Sequence, residues 1–301
     1  MKKTPLIIDC DPGIDDAIAL LLIYKYKDLF DIKLISSTAG NCSIDTTTNN
    51  VRYFADNFFN GTKVSQGSPI PLVKVNPLGA EDVHGESGLG SVKIKKQTYP
   101  IAEDSVEIMR DIIFNSDEKV TILCLGALTN IARLIVAHPE VREKISQIYS
   151  MIGSINGEGN IEPYAEFNAY FDPEALDLVA KSGIPMVINP LELARGSKIP
   201  KSTLKQYTPK NKLQQFVADI TSSLNEFNDP INIGIYDAHS AVALISPEQY
   251  NFIPCDIEIY TNSETRGKCV LTENKNSKHY YLTLKNADKT NKFILNELFS
   301  L

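Results

Sequence analysis

No tryptophan occurs anywhere in this chain, and cysteine and methionine are scarce, at 5 and 4 of 301 residues. The missing tryptophan removes the largest aromatic face from any ligand site. Cys10, Cys42, Cys124, Cys255 and Cys269 are odd in number, widely spaced and form no CxxC pair. With no secretory leader at the start, they are expected to be reduced thiols of a cytoplasmic protein. Long hydrophobic runs are lacking too: the longest wholly apolar stretch, Ala17 to Tyr24, is far too short to span a bilayer. Positive charge is in deficit, with 30 Lys and Arg against 37 Asp and Glu for a net charge of −7. That balance argues against a nucleic-acid backbone or an anionic membrane as partner, since both demand clustered basic residues. Lys93, Lys95 and Lys96 read as solvated surface. There is no compositional break, repeat or low-complexity tract to mark a linker, so residues 1–301 are expected to form a single domain. What remains, 43% hydrophobic and 22% charged residues, is the composition of an ordinary soluble globular protein.

Short apolar runs alternate with helical patterns along the chain. "PLIID" (5–9) predicts a buried strand and "DDAIALLLIYKY" (15–26) a helix. "IKLISSTAG" (32–40) and "SIDTTTNNVRYFADNFF" (43–59) repeat the pair, as do 119–125 with 129–137 and 147–153 with 173–183; 185–189 adds a further strand. This order predicts an α/β, Rossmann-like fold with a mostly parallel central sheet and helices on both faces. After residue 250, "DIEIYT", "GKCVLT" and "HYYLTLK" predict a small antiparallel extension, closed by a helix in "DKTNKFILNELFSL". Three segments, 67–90, 153–163 and 225–236, are too rich in Pro, Gly and Asn for this scheme and read as irregular loops. Long loops in a compact α/β domain are commonly functional, and open parallel sheets bind ligands beyond the carboxyl ends of their strands.

"IIDCDPGIDDAIAL" (7–20) crowds Asp9, Asp11, Asp15 and Asp16 beside an apolar helix. The helix dipole stabilises an acid in a first turn by only about 0.3–1 kcal/mol, a small offset to their mutual repulsion. A divalent cation offsets far more, and converging oxygens suit a hard ion such as Ca²⁺. Two other readings compete: Asp15 as a simple N-cap with its neighbours in solvent, or the D-x-D of an aspartate-nucleophile phosphatase. Against the second, Pro12-Gly13 follows Asp11 where that family usually carries Gly-Thr.

"DCDPGIDDA" resembles the N-terminal signature of the inosine–uridine nucleoside hydrolase family. "TAGN" ending at Asn41, "VHGESGLG" (83–90), "GALTNIA" (126–132), "EPYAEFNAYFDPEA" (162–175) and "YDAHSAVAL" (236–244) match in the same order over nearly the whole chain. The resemblance implies Ca²⁺-dependent hydrolysis of a ribonucleoside's N-glycosidic bond, yielding ribose and free base. It also implies purine or pyrimidine salvage and a homodimer or homotetramer. It assigns the metal to the carboxylates of Asp11, Asp16 and Asp237 and the main-chain carbonyl of Thr129. Asp15, Asn41, Asn160, Glu166 and Asn168 would hold the ribose or order the attacking water, and Asp11 would be the general base. Cleavage builds positive charge on the sugar, as in glycoside hydrolysis. Ca²⁺ acidifies water weakly, so a base is still required.

The base side departs from the family. Many members carry His immediately before the last metal-binding Asp, where this chain has Tyr236, and the tryptophans with which another branch stacks purines are absent. His84 matches a family His of the base pocket, and Tyr236 would stack on the base or donate from a hydroxyl whose pKa near 10 makes it a reluctant acid. His239, two residues after Asp237 on a predicted helix, should point away from the metal and be structural. Unusual base specificity is therefore expected. The alternative of a different class is a nucleoside- or riboside-binding protein without efficient hydrolysis of common nucleosides.

Overall fold

Strand β1 (Thr4–Cys10) is an interior strand of a nine-stranded sheet in a computed structural model that describes residues 2–73, 79–102, 104–224, 229–262 and 264–301. The other members are β2 (Phe30–Ser37), β3 (Lys63–Gln66), β4 (Val120–Cys124), β5 (Ile145–Met151), β6 (Met186–Asn189), β9 (Tyr250–Ile259), β10 (Cys269–Glu273) and β11 (His279–Leu284). A separate antiparallel pair joins β7 (Ile199–Pro200) to β8 (Asn232–Ile233). Strand order in the large sheet is β10-β9-β11-β6-β5-β4-β1-β2-β3. Every pairing is parallel except those of β9 with β10 and β11, so the expected antiparallel extension forms one edge of the same sheet.

The period-2 alternation of a strand assigns its side chains to two cores. Leu6, Ile8 and Cys10 of β1 face one apolar cluster, and Ile7 faces the other. The first cluster includes residues of α1 (Ile14–Lys25), α2 (Ile44–Phe58), α10 (Lys212–Ser222), α11 (Ala238–Ile245) and α12 (Ala287–Leu298). The second includes α4 (Ser105–Phe114), α5 (Thr129–Ala137) and α7 (Pro173–Lys181). Shorter helices are α3 (Glu81–His84), α6 (Phe167–Phe171), α8 (Leu191–Arg195) and α9 (Lys201–Leu204). Helix α1 is apolar all round because it is packed all round, against α2, α10, α11 and α12. Each fully buried Leu or Ile of its body stabilises by about 1.5–3 kcal/mol, which holds its acidic start in the interior. Among the described residues, no helix is long and apolar enough to cross a membrane.

Two predicted strands end earlier than expected. β2 stops at Ser37 and frees residues 38–40 for the loop that carries Asn41; β5 stops at Met151, and Gly153 turns with φ of 73°. Of the three predicted loops, 153–163 holds no named element. Segment 67–90 contains only α3 among its described residues, and 225–236 only β8, while 74–78 and 225–228 lie outside the described residues.

The chain moves from β1 to β2 to β3 in one direction, then crosses to β4 on the other side of β1. Helices α1 and α2 cover one face; α4 and α5 cover the other. The connections leaving the carboxyl ends of β1 and β4 therefore diverge, opening the crevice where doubly wound sheets bind ligands.

Candidate active site

Asp11 lies at the mouth of this crevice, just beyond β1. Its Oδ2 accepts the Asn41 backbone N–H at 2.8 Å, while its Oδ1 is buried and has no partner among the described residues. The loops after β2 and β4 close on it so tightly that a Cβ on Gly40 would come 2.0 Å from Oδ2, and one on Gly126 would come 2.5 Å from Oδ1. Only glycine permits that approach.

Gly13 caps α1, so the N-cap reading of Asp15 fails: Asp15 and Asp16 lie inside the first turn. Asp16 accepts N–H groups from Gly13 at 2.9 Å and Asp11 at 3.3 Å, and the Asn41 side-chain amide at 3.0 Å. Oxygens of Asp15, Asp16 and Asp237 all lie within 4.8 Å of one another. Asp237 occupies the N-cap of α11 but makes no capping bond; its side chain is turned to Asp16 instead. Burial, reinforced by the neighbouring acids, holds Asp11 and Asp237 well above the usual carboxylate range. Burial and then Asp15 push Asp16 up to about 6.

These features fit a hard divalent cation. Two oxygens on one Ca²⁺ at 2.3–2.6 Å can be about 5 Å apart, the spread of this cluster. The donor set is all oxygen, and the Oδ1 atoms of Asp11 and Asp15 are buried without a hydrogen bond among the described residues. Thr129 begins α5 and donates its hydroxyl to Asp172 Oδ2 at 2.7 Å.

Of the residues expected at the sugar, Asn41 follows β2, and Asn160, Glu166 and Asn168 lie in the segment after β5 that leads into α6, each partly committed. Both amide hydrogens of Asn41 are engaged, one by the Asp11 carbonyl at 3.1 Å and one by Asp16. Asn168 donates to the carbonyls of Leu125 and Met151, both at 3.0 Å, so each of these Asn residues offers a ligand its Oδ1. Asn160 is the reverse: its Oδ1 accepts from Phe167 N at 2.9 Å, leaving the amide hydrogens. Glu166 caps α6, taking N–H groups from Asn168, Ala169 and Gly153, and burial raises its carboxyl to about 7.

On the base side, His84 Nδ1 accepts the Ile14 N–H at 3.1 Å, so a neutral His84 carries its proton on Nε2. Asp15 Oδ1 is 3.9 Å from that same Nδ1, too far for a hydrogen bond. Tyr236 is half-buried, its carbonyl held by Asn189 Nδ2 at 2.7 Å. His239 is structural, as its helical spacing implies. It is fully buried between Ser197 Oγ at 2.9 Å and Tyr250 OH at 3.0 Å, and burial lowers its pKa to about 3.

Sequence patterns do not single out Asp172, Asn130 or Asn189, whose partners are remote in the chain. Asp9 is not part of the cluster. It is buried on the other face of β1, accepts from Asn130 Nδ2 at 2.8 Å and is raised by burial to about 7.

Residues 6–295 match the sequence profile described as inosine-uridine preferring nucleoside hydrolase. Similar proteins include the pyrimidine-specific ribonucleoside hydrolase RihA of Escherichia coli O81 (strain ED1a), 35% identical over 273 residues that cover 88% of this chain and 85% of that one. RihA of Shewanella oneidensis is 35% identical over 301 residues, covering 97% and 92%. A plant nucleoside hydrolase shares the fold with a TM-score of 0.91 at 21% identity, covering 100% of both chains. A purine-preferring ribonucleoside hydrolase from Gardnerella vaginalis does so with 0.87 at 22% identity, covering 98% and 97%. The phosphatase reading and the reading as a mere binder fall away, and the chain belongs to the inosine–uridine preferring nucleoside hydrolase family, as an enzyme that hydrolyses ribonucleosides.

Proposed function

We propose that this enzyme uses one Ca²⁺ to cleave the N-glycosidic bond of a ribonucleoside, releasing ribose and the free base, with Asp11 as the general base. The observation that carries this reading is the buried, partnerless Oδ1 of Asp11 beside the mutually repelling carboxylates of Asp15, Asp16 and Asp237. The carboxylates of Asp11, Asp16 and Asp237 and the main-chain carbonyl of Thr129 would hold the ion, with Asp15 beside them. Bound there, Ca²⁺ supplies charge neutralisation and an anchor for the ribose hydroxyls.

The chain's own groups do the rest. Asn41 N–H fixes one oxygen of Asp11 and leaves the other to take a proton from the attacking water. Asp15, the Oδ1 atoms of Asn41 and Asn168, the Asn160 amide and the remaining lone pairs of Glu166 would orient the sugar. That positioning supplies several kcal/mol of barrier reduction, the order expected for pre-oriented reactants. His84, through Nε2–H, and Tyr236 would meet the departing base.

Two relatives at 35% identity are described as pyrimidine-specific, so uridine and cytidine are the first natural substrates to test. We further propose one functional unit over residues 1–301, a cytoplasmic location and a homodimer or homotetramer, the last measurable by light scattering. The decisive experiment measures ribose release from a nucleoside panel with and without a Ca²⁺ chelator, beside Asp11→Asn. Chelation should abolish turnover, and Asp11→Asn should lower it by about 10²–10⁴, the range for a lost general base. Full activity in chelator would exclude the metal; wild-type turnover of Asp11→Asn at unchanged Ca²⁺ occupancy would give the base role to another group.

A further inference from the structure

Two buried carboxylates outside the acidic cluster take hold of the first two residues of α5. Thr129 Oγ1 donates to Asp172 Oδ2 at 2.7 Å, and the same oxygen accepts the Leu72 N–H at 2.9 Å. Asp172 Oδ1 accepts the Ala175 N–H at 3.1 Å and so caps α7. Next along α5, Asn130 donates to Asp9 Oδ1 at 2.8 Å and to the Ser37 carbonyl at 3.0 Å, while its Oδ1 accepts the Ser68 N–H at 2.8 Å. Both ends of the Ser68–Leu72 segment are thereby tied to the start of α5.

Capping alone does not explain Asp172. Asn caps a helix about as well as Asp, without the cost of burying a charge, which reaches several kcal/mol for an unpaired ion. The side chain is fully buried, and Thr129 and Asn130 are each 1% exposed. What the carboxylate adds over a neutral cap is a single group that accepts from α5, from α7 and from the 67–73 segment at once.

We propose that Asp172 is a positioning residue for the cation site: through the Thr129 hydroxyl it locks the β4–α5 turn in place beside Asp11, and cation affinity depends on that lock. The turn has no slack, because Gly126 already lies where an added Cβ would come 2.5 Å from Asp11 Oδ1. The inference rests on the Ca²⁺ reading above. Groups that orient metal ligands without touching the metal typically change affinity by about 10- to 100-fold when mutated.

The test is Thr129→Val, which keeps the shape, the branched Cβ and the main-chain carbonyl but removes the hydroxyl, compared with Thr129→Ser, which restores it. Calorimetry with Ca²⁺ should show affinity about tenfold weaker or worse in Thr129→Val, and near wild type in Thr129→Ser. The rise in melting temperature on adding Ca²⁺ should shrink in Thr129→Val alone. A merely structural bond would instead lower the melting temperature equally with and without Ca²⁺ and leave affinity untouched, which would overturn the proposal. Should Thr129→Val not fold, Asp172→Asn, which retains an oxygen for the α7 amide, gives the same readout: weakened Ca²⁺ binding supports the lock and wild-type binding overturns it. If the wild type itself takes up no Ca²⁺, the metal reading fails first and this inference with it; if the wild type binds and Thr129→Val binds equally, the lock alone fails.

Discussion

Tyr236 is the residue on which, in the reading proposed above, base preference turns. It directly precedes Asp237, and Asn189 holds its carbonyl so that its backbone cannot drift from the cluster. A phenol with a pKa near 10 protonates a leaving base poorly, and His84, whose Nδ1 is occupied by the Ile14 amide, has only Nε2–H to offer. A substrate whose leaving group needs no proton escapes both limits. p-Nitrophenyl riboside should therefore be cleaved faster than uridine or inosine. Tyr236→Phe should lower kcat for the natural nucleosides by about tenfold or more, the lower range of acid catalysis being about 10², and leave the activated riboside within a few-fold of wild type. Equal losses on both substrates would mean that the hydroxyl acts on the sugar or the fold rather than on the departing base.

Helix α1 shows how an element carries the site. Its apolar body is buried on every side, and its N-terminal turn brings Asp15, Asp16 and the Ile14 amide to the crevice together. The fit at its cap is close: a Cβ on Gly13 would lie 2.6 Å from His84 Nδ1 and 2.7 Å from Asn41 Nδ2. Gly13 has φ of −95°, an ordinary backbone conformation, so Gly13→Ala should fold, with overpacking of about 1–3 kcal/mol felt at the cluster. Turnover should fall well beyond what the loss of melting temperature explains; an unchanged kcat/KM would show that the cap tolerates displacement of both side chains. This helix was legible in sequence because its acids and apolar run adjoin, as were the parallel strands with both faces buried. The polar edge strand β3 leaves no such trace; α10 carries a diluted one, Asn211 as N-cap ahead of Val217 and Ile220, with Gln214 and Thr221 on the same buried face. Helix α4 did carry a signal, Asp104 as N-cap ahead of Val106, Met109 and Ile113, that strand-helix alternation passes over. Within the site, residues grouped in short motifs were readable. Asp172 and Asn130 lie inside two of those motifs, but their bonds span 43 and 121 positions of the chain, so their partners were not.

For the whole molecule, buried titratable groups pull stability in opposite directions with pH. Burial raises Glu166 and Asp9 to about 7, above their unfolded values near 4. Their contribution is full below about 4 and is lost as pH rises through about 7, because the unfolded chain gives up those protons first. His239 works the other way. Its folded pKa of about 3 lies below the unfolded value of about 6.5, so its contribution is full above 6.5 and drains as pH falls toward 3. His239→Gln removes the titration while keeping an amide able to bond Ser197 or Tyr250. In a fixed concentration of chelator, the wild type should be more stable than this variant at pH 7.5. That advantage should shrink by about 1.4 kcal/mol per pH unit below about 6.5, since one proton separates the two states. Subtracting the variant cancels Glu166, Asp9 and the acidic cluster, which titrate alike in both proteins, so the difference isolates one imidazole. Urea midpoints at pH 7.5, 6.5, 5.5 and 4.5 measure it, and a difference that stays flat across that range would mean that His239 is protonated in the folded core or reached by water.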